Sequence, residues 1–156
     1  MKHVVLTLVL IRRGNEVLLG LKKTGFGKGV WNGPGGKVEP GEELEACARR
    51  EVREEMGIDL GSLKKVGIIT CEYRNVEEES DMEFHVFETT EYFGEPIETE
   101  EMRPRWFPVS KYPFDKAWPD DKLWFPVYLE GKTFRARFRF HGYQVVTEHE
   151  IHEAEL

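Results

Sequence analysis

Three glutamates have the spacing to do chemistry together: Glu51, Glu54 and Glu55, in the segment Arg50-Glu51-Val52-Arg53-Glu54-Glu55-Met56-Gly57-Ile58. On an α-helix, residues three and four apart lie one turn from each other on the same side. A helical wheel puts Leu44, Cys47 and Ala48 on the buried side and Glu42, Ala46, Arg49, Arg50 and Arg53 on the exposed side. Glu51, Glu54 and Glu55 then fall within roughly 100° of arc on the apolar side. A plain solvated face would mix acids and arginines in i, i+4 pairs; the wheel separates them. Carboxylates crowded beside a core repel one another and lose hydration, so they call for a compensating cation. Side-chain oxygens in that number suit a hard ion, Mg²⁺ or Mn²⁺.

These acids need a scaffold. The periodicity predicts one strong helix from about Gly41 to Met56, ended by Gly57 as a C-cap. A glycine-rich loop from Gly25 to Gly41 precedes it, and Gly35-Gly36 leads towards the carboxylates. Glycines let backbone approach a ligand closely, so beside a carboxylate helix the loop reads as the floor of a phosphate site. Strands are predicted at Val4 to Ile11 and Val17 to Leu21, joined by the turn Arg13-Gly14-Asn15, then at Lys65 to Tyr73, Met82 to Thr90 and Arg105 to Val109. The run Glu77 to Asp81 reads as a solvated loop. A second helix is predicted from Pro119 to Leu129, with Pro126 kinking it. Thr133 to Phe140 and Tyr143 to Ile151 form a final hairpin turning near His141-Gly142, with the stretch from His149 onward frayed or at a sheet edge. The class is α/β; the strand order does not follow from the sequence.

Asp120-Asp121, between Trp118 and Trp124, has two readings. The acids sit at a helix start, where the dipole and solvent would stabilise them. Alternatively they face an apolar pocket, where desolvation and mutual repulsion keep one protonated and able to donate to a purine oxygen.

Composition narrows the function classes. The chain of 156 residues has a formal net charge of −7, which argues against wrapping a nucleic-acid polymer or docking on an anionic membrane. An anionic ligand must then be held by a few placed lysines or through a metal ion. The two cysteines, Cys47 and Cys71, form no CxxC pair and no zinc spacing. Free thiols point to a reducing, cytoplasmic setting. The longest apolar run, Val4 to Ile11, is too short to span a bilayer. His3, His85, His141, His149 and His152 show no triad spacing, and Trp106 and Phe107 fit a core strand.

The pattern Gly36-x5-Glu42-x7-Arg50-Glu51-Val52-x-Glu54-Glu55-x-Gly57-Ile58 resembles the Nudix box at every defined position. The resemblance implies a Nudix fold over a single domain, residues 1–156, with a mixed β-sheet sandwiched between helices. It implies hydrolysis of a nucleoside diphosphate linked to another group. A narrower similarity runs through Leu19-Gly20-Leu21-Lys22-Lys23, Gly25-Phe26-Gly27, Trp31-Asn32-Gly33, Glu101-Met102-Arg103-Pro104, Trp118-Pro119-Asp120-Asp121 and Trp124-Phe125-Pro126. These stretches resemble the animal MutT-type oxidised purine nucleoside triphosphatases, which convert 8-oxo-dGTP and 2-hydroxy-dATP to monophosphates and pyrophosphate.

Carried over residue by residue, this resemblance implies that Glu51, Glu54, Glu55 and Glu101 bind the metal and serve catalysis. Lys22 would sit near the phosphates, above the Gly35-Gly36 floor. Asn32, Asp120 and Asp121 would read the base edge. Trp118 and Phe26 would wall the base, and Thr7, Met82 and Phe140 would line its pocket. Two positions depart from the pattern, where Cys71 and Pro34 replace phenylalanines; both bear on base preference more than on hydrolysis. The expected partner is a small nucleotide, acted on by a monomer. Rival readings are a Nudix hydrolase of another nucleotide (N6-methyl-dATP, an unmodified dNTP, a dinucleoside polyphosphate or ADP-ribose) and a non-catalytic Nudix binding module, which the intact glutamates argue against.

Overall fold

The computed structural model describes residues 1–156. In chain order the elements are β1 (Lys2–Arg13), β2 (Glu16–Lys22), β3 (Trp31–Asn32), α1 (Leu44–Met56), β4 (Asp59–Leu60), β5 (Lys64–Arg74), β6 (Ser80–Thr89), β7 (Tyr92–Phe93), β8 (Met102–Pro108), α2 (Asp121–Leu129), β9 (Phe134–His141) and β10 (Val145–Glu153). One mixed sheet runs in the order β10-β9-β5-β6-β1-β2-β3, with β8 also paired to β2, and a small second sheet joins β4 to β7. The pairs β1–β6 and β5–β9 are parallel; β1–β2, β2–β8, β5–β6 and β9–β10 are antiparallel.

The two faces follow from the period of two along β1. Leu6, Leu8 and Leu10 join a core with Trp124, Phe125 and Tyr128 of α2 and with Phe134, Phe138 and Phe140 of β9. Val9 and Ile11 join the opposite core with Ala48, Val52 and Met56 of α1 and with Phe87 of β6. Each helix thus covers one face, as the α/β sandwich requires. A fully buried aliphatic side chain contributes roughly 1.5–3 kcal/mol, so a register slip in β1 would forfeit several such terms on both faces at once.

The helix and strand expectations hold at the level of elements, and their ends move for local reasons. The carboxylate helix begins at Leu44 rather than at Gly41, because Glu42 N–H bonds the Glu39 carbonyl (3.0 Å) in a turn closed by Gly41 at φ 76°. Its end is as read: Gly57 at φ 70° donates its N–H to the Arg53 carbonyl. The strand expected from Arg105 starts at Met102, drawn into register with Lys22 of β2. The acidic loop is shorter than expected, since Ser80 and Asp81 already belong to β6. α2 starts at Asp121 and continues through Pro126 to Leu129. His149 to Glu153 form the end of the edge strand β10. No helix is long and apolar enough to cross a membrane.

Candidate active site

Helix α1 buries Ala48, Val52 and Met56 against the sheet, and that packing fixes which way its glutamates turn. Glu55 follows Val52 by three residues and is 3% exposed. Its carboxylate accepts the Gly35 N–H at 2.8 Å. Burial pushes its pKa up to about 7, with Glu51 and Glu101 adding to the rise and the Gly35 N–H and Lys22 opposing it. Glu51 is half-buried and lies against Gly36: a Cβ there would stand 2.5 Å from the Glu51 carboxyl carbon. Its pKa is also raised, first by burial and then by Glu54 and Glu101, while Arg50 pulls it down. The Gly35-Gly36 floor thus lies close to its surroundings: a Cβ at Gly35 would strike the Thr7 carbonyl, and one at Gly36 would press on the Glu51 carboxylate.

Arg50 corrects the wheel. Its guanidinium reaches inward and links Glu42 (2.8 and 3.0 Å), Glu51 (2.8 Å), Glu54 (3.4 Å) and the Lys37 carbonyl (3.1 Å). Acids and this arginine thus share one side after all, and Arg50 ties the loop to the helix. Glu54, expected on the apolar side, is exposed and paired with Arg50. As the side chains stand, no three carboxylates are drawn together at a metal. Glu51, Glu55 and Glu101 nevertheless line one open chamber with Lys22 and Lys37. Glu101 itself is exposed, and its backbone is pinned on both sides. Its N–H meets the Thr99 hydroxyl, which donates to the Glu55 carbonyl (2.9 Å), and its carbonyl accepts the Lys23 N–H (2.8 Å). The donor set fits a hard divalent ion: all oxygens, with Glu51 and Glu55 raised in pKa by burial and then by neighbouring acids, and a glycine floor beside them.

The chamber opens into a deeper apolar cavity. Lys22, Phe26, Asn32, Met82, Trp118, Asp120 and Asp121 line it, with Gly35 and Gly36 at the junction. The two aspartates are 5% and 3% exposed, so the solvated helix-start reading falls. Asp120 accepts the Trp124 indole N–H (3.1 Å), and Asp121 accepts the Tyr112 hydroxyl (2.7 Å). Burial raises both pKa values, and the neighbouring Asp120 charge drives Asp121 higher still. A carboxyl kept neutral this way is a hydrogen-bond donor as well as an acceptor.

Residues 1–128 match the model of the NUDIX domain. The chain belongs to the Nudix family. It is 48% identical over 151 residues to a Danio rerio protein named oxidized purine nucleoside triphosphate hydrolase, covering 97% of this chain and 96% of that one. A Mus musculus protein of the same name is 44% identical over 149 residues, covering 96% and 94%. Among solved structures, a MutT protein from Bacillus halodurans superposes with a TM-score of 0.80 at 21% identity, over 95% of this chain and 97% of that one.

In this Nudix chain one expected pocket contact, Phe140, differs from its reading, while Thr7 and Asn32 line the cavity. Phe140 is fully buried and backs the Tyr73 ring at 4.8 Å, so Tyr73 lines the cavity in its place. Thr7 borders the cavity, yet its hydroxyl lies 3.3 Å from the Cys47 sulfur under α1. Asn32 turns its carbonyl oxygen to its own loop, accepting the Gly33 N–H. The sequence reading missed Arg50, Tyr73, Tyr112 and Trp124. Buried charge would have pointed to the last two, since a desolvated aspartate needs a donor nearby. Cys71 lies in the cavity wall beside Met82, its cross-strand neighbour.

Proposed function

We propose that this Nudix hydrolase cleaves oxidised purine nucleoside triphosphates, 8-oxo-dGTP and 2-hydroxy-dATP, to the monophosphate and pyrophosphate. The observation that carries this reading is the buried Asp120–Asp121 pair in a cavity continuous with the carboxylate chamber. Most purine edges can be read by fixed amides. Two adjacent carboxyls that share protons can present donor or acceptor at either position, and so accept both an oxidised guanine and an oxidised adenine. The relatives' names agree with this substrate class.

The base enters the cavity beside Trp118, and the triphosphate lies in the chamber. Lys22, which borders both spaces, faces the phosphates. Glu51, Glu55 and Glu101, with Glu54 at the margin, are the residues to hold Mg²⁺, or Mn²⁺. Such an ion, when bound, neutralises phosphate charge and lowers the pKa of a bound water. Water adds to the β-phosphorus as the bond to the α-phosphate oxygen breaks, so its oxygen ends in pyrophosphate. The water's proton goes to one of Glu54, Glu55 and Glu101. Gly35 N–H holds Glu55 in place, and Arg50 holds Glu51. In this reading the chain acts as a single domain, residues 1–156, and as a monomer. The two buried free thiols suit a reducing cytoplasm.

The test is kcat/KM for 8-oxo-dGTP, 2-hydroxy-dATP, N6-methyl-dATP and dGTP at one Mg²⁺ concentration, with product analysis. The oxidised nucleotides should lead by at least tenfold and release pyrophosphate. Equal or better turnover of dGTP or N6-methyl-dATP would refute the assignment.

A further inference from the structure

Four aromatic rings meet at the mouth of the base cavity. Phe26 stacks on Trp118 with centroids 5.0 Å apart and planes at 24°. Tyr73 meets Phe26 edge-on at 6.0 Å. The fourth ring is Tyr143, from the β9–β10 hairpin, which meets Phe26 edge-on at 5.5 Å and Tyr73 at 5.3 Å. Tyr143 is 38% exposed, so core packing does not account for it. Its ring contacts are both with rings of the site.

The two loops that carry these rings are built differently. Phe26 stands between Gly25 at φ 71° and Gly27 at φ 87°, with Gly29 at φ 83° beyond. Gly25 and Gly29 have no neighbouring atoms where a Cβ would be, so that loop is hinged by glycine. The hairpin tip is tied down instead: Gly142 N–H bonds the Arg74 carbonyl (2.8 Å), and Asn75 Nδ2 lies 2.8 Å from His141 Nε2. Two rings that hold a purine between them stand about 7 Å apart, twice the optimal carbon contact. Phe26 and Trp118 at 5.0 Å are too close for that, so the two rings form one wall, and a base that stacks on Trp118 takes the face that Phe26 leaves free.

We propose that Tyr143 is a positioning residue: a fixed post on the hairpin that holds the hinged Phe26 ring against Trp118 and so keeps the indole placed for a purine stacked on its free face. The proposal rests on the reading of this cavity as the base site. Tyr143 acts through its ring, on Phe26, and lies outside the carboxylate machinery. An edge-to-face aromatic contact predicts a three- to tenfold change in nucleotide affinity, within the ~0.5–1.5 kcal/mol range for such pairs.

The experiment titrates 8-oxo-dGMP, dGMP and dAMP, without metal, into wild type, Tyr143→Ala and Tyr143→Phe, by calorimetry and tryptophan fluorescence, with steady-state kinetics alongside. Tyr143→Ala should weaken each nucleotide that wild type binds by three- to tenfold and raise KM to match, with kcat within twofold. Tyr143→Phe should behave as wild type, and inhibition by inorganic pyrophosphate should not move. Tyr143→Ala within 1.5-fold of wild type in Kd and KM, a loss confined to kcat, or a Tyr143→Phe variant as weak as the alanine variant would each overturn the proposal. If wild type binds dGMP or dAMP as tightly as 8-oxo-dGMP, the oxidised-purine reading fails while the Tyr143 effect is still measured on those ligands. If it binds none, the base-site reading and this proposal fall together.

Discussion

Gly35 and Gly36 are adjacent, yet replacing each with alanine should do different damage. At Gly36 the atoms nearest the new Cβ would be those of the Glu51 carboxylate, at 2.5 Å for Cδ and 2.6 and 2.8 Å for its oxygens. Comfortable carbon contact needs about 3.5 Å, so the carboxylate must retreat by about 1 Å. That carboxylate is the flexible end of a side chain, and Gly36 has no positive φ among the residues that do. The fold should therefore tolerate the change. The chemistry should not, because a misplacement of about 1 Å in a positioned catalytic group costs on the order of 10²-fold. At Gly35 a Cβ would run into the Thr7 carbonyl of β1, which is backbone and cannot yield cheaply. Gly35→Ala should lower Tm by several degrees, as a strained backbone contact of ~1–3 kcal/mol would. The assay is kcat/KM on 8-oxo-dGTP at saturating Mg²⁺ beside thermal unfolding of both variants. A Gly36→Ala enzyme with activity within threefold of wild type would refute the claim that Glu51 is held where it must act. A Gly36→Ala enzyme as unstable as Gly35→Ala would refute the division between floor and frame.

Glu55→Gln keeps the acceptor for the Gly35 N–H but removes the negative charge. Its kcat should drop by roughly 10²–10⁴-fold, with Tm unchanged or raised, since a buried carboxyl no longer needs to ionise. Retained turnover would exclude Glu55 from metal binding and proton transfer, whereas its loss rules out the non-catalytic binding-module reading. Asp120→Asn and Asp121→Asn should separate the two oxidised substrates, each losing one activity at least tenfold more than the other; variants that match wild type on both nucleotides would end the base-reading idea. The same pair sets a pH signature. Burial raises both pKa values, so in the range above about pH 4 the unfolded chain gives up these protons first. The folded state then binds more protons, and this contribution to stability falls as pH rises towards the folded pKa values. Asp121→Asn should flatten that fall, read as the difference in Tm between wild type and variant from pH 4 to 8. A constant difference across that range would count against a protonated pair.

Much of this was readable from local pattern. Short apolar runs gave β1 and β2, glycine at the end of a helical period gave the Gly57 cap, and box spacing marked Glu51, Glu54, Glu55 and the Gly35-Gly36 floor. Such features depend on residues within a turn or two of one another, and backbone geometry dictates them without help from distant chain. A helical wheel, by contrast, says where a Cβ points and nothing of where a long side chain ends. Arg50 sits on the exposed arc yet reaches back across Glu42, Glu51 and Glu54, and Glu54 is drawn outward with it.

The remaining decisions belong to the tertiary structure. Whether Asp120 and Asp121 are solvated or buried turns on Tyr112 and Trp124, whose hydroxyl and indole N–H offset part of the cost of taking two carboxyls out of water. Phe140 gave way to Tyr73 because β9 pairs beside β5 on the side away from β6, with Phe140 opposite Tyr73, which no local pattern encodes. The ring of Tyr143 meets Phe26 only because parallel pairing of β5 with β9 brings the hairpin to the end of β5. The sequence alone determined the helix, its acids and the glycines beside them, since short-range sterics and capping decide those. The cavity, the buried aspartates and the aromatic rim came from long-range pairing, where burial and partner groups, rather than residue type, set what each side chain can do.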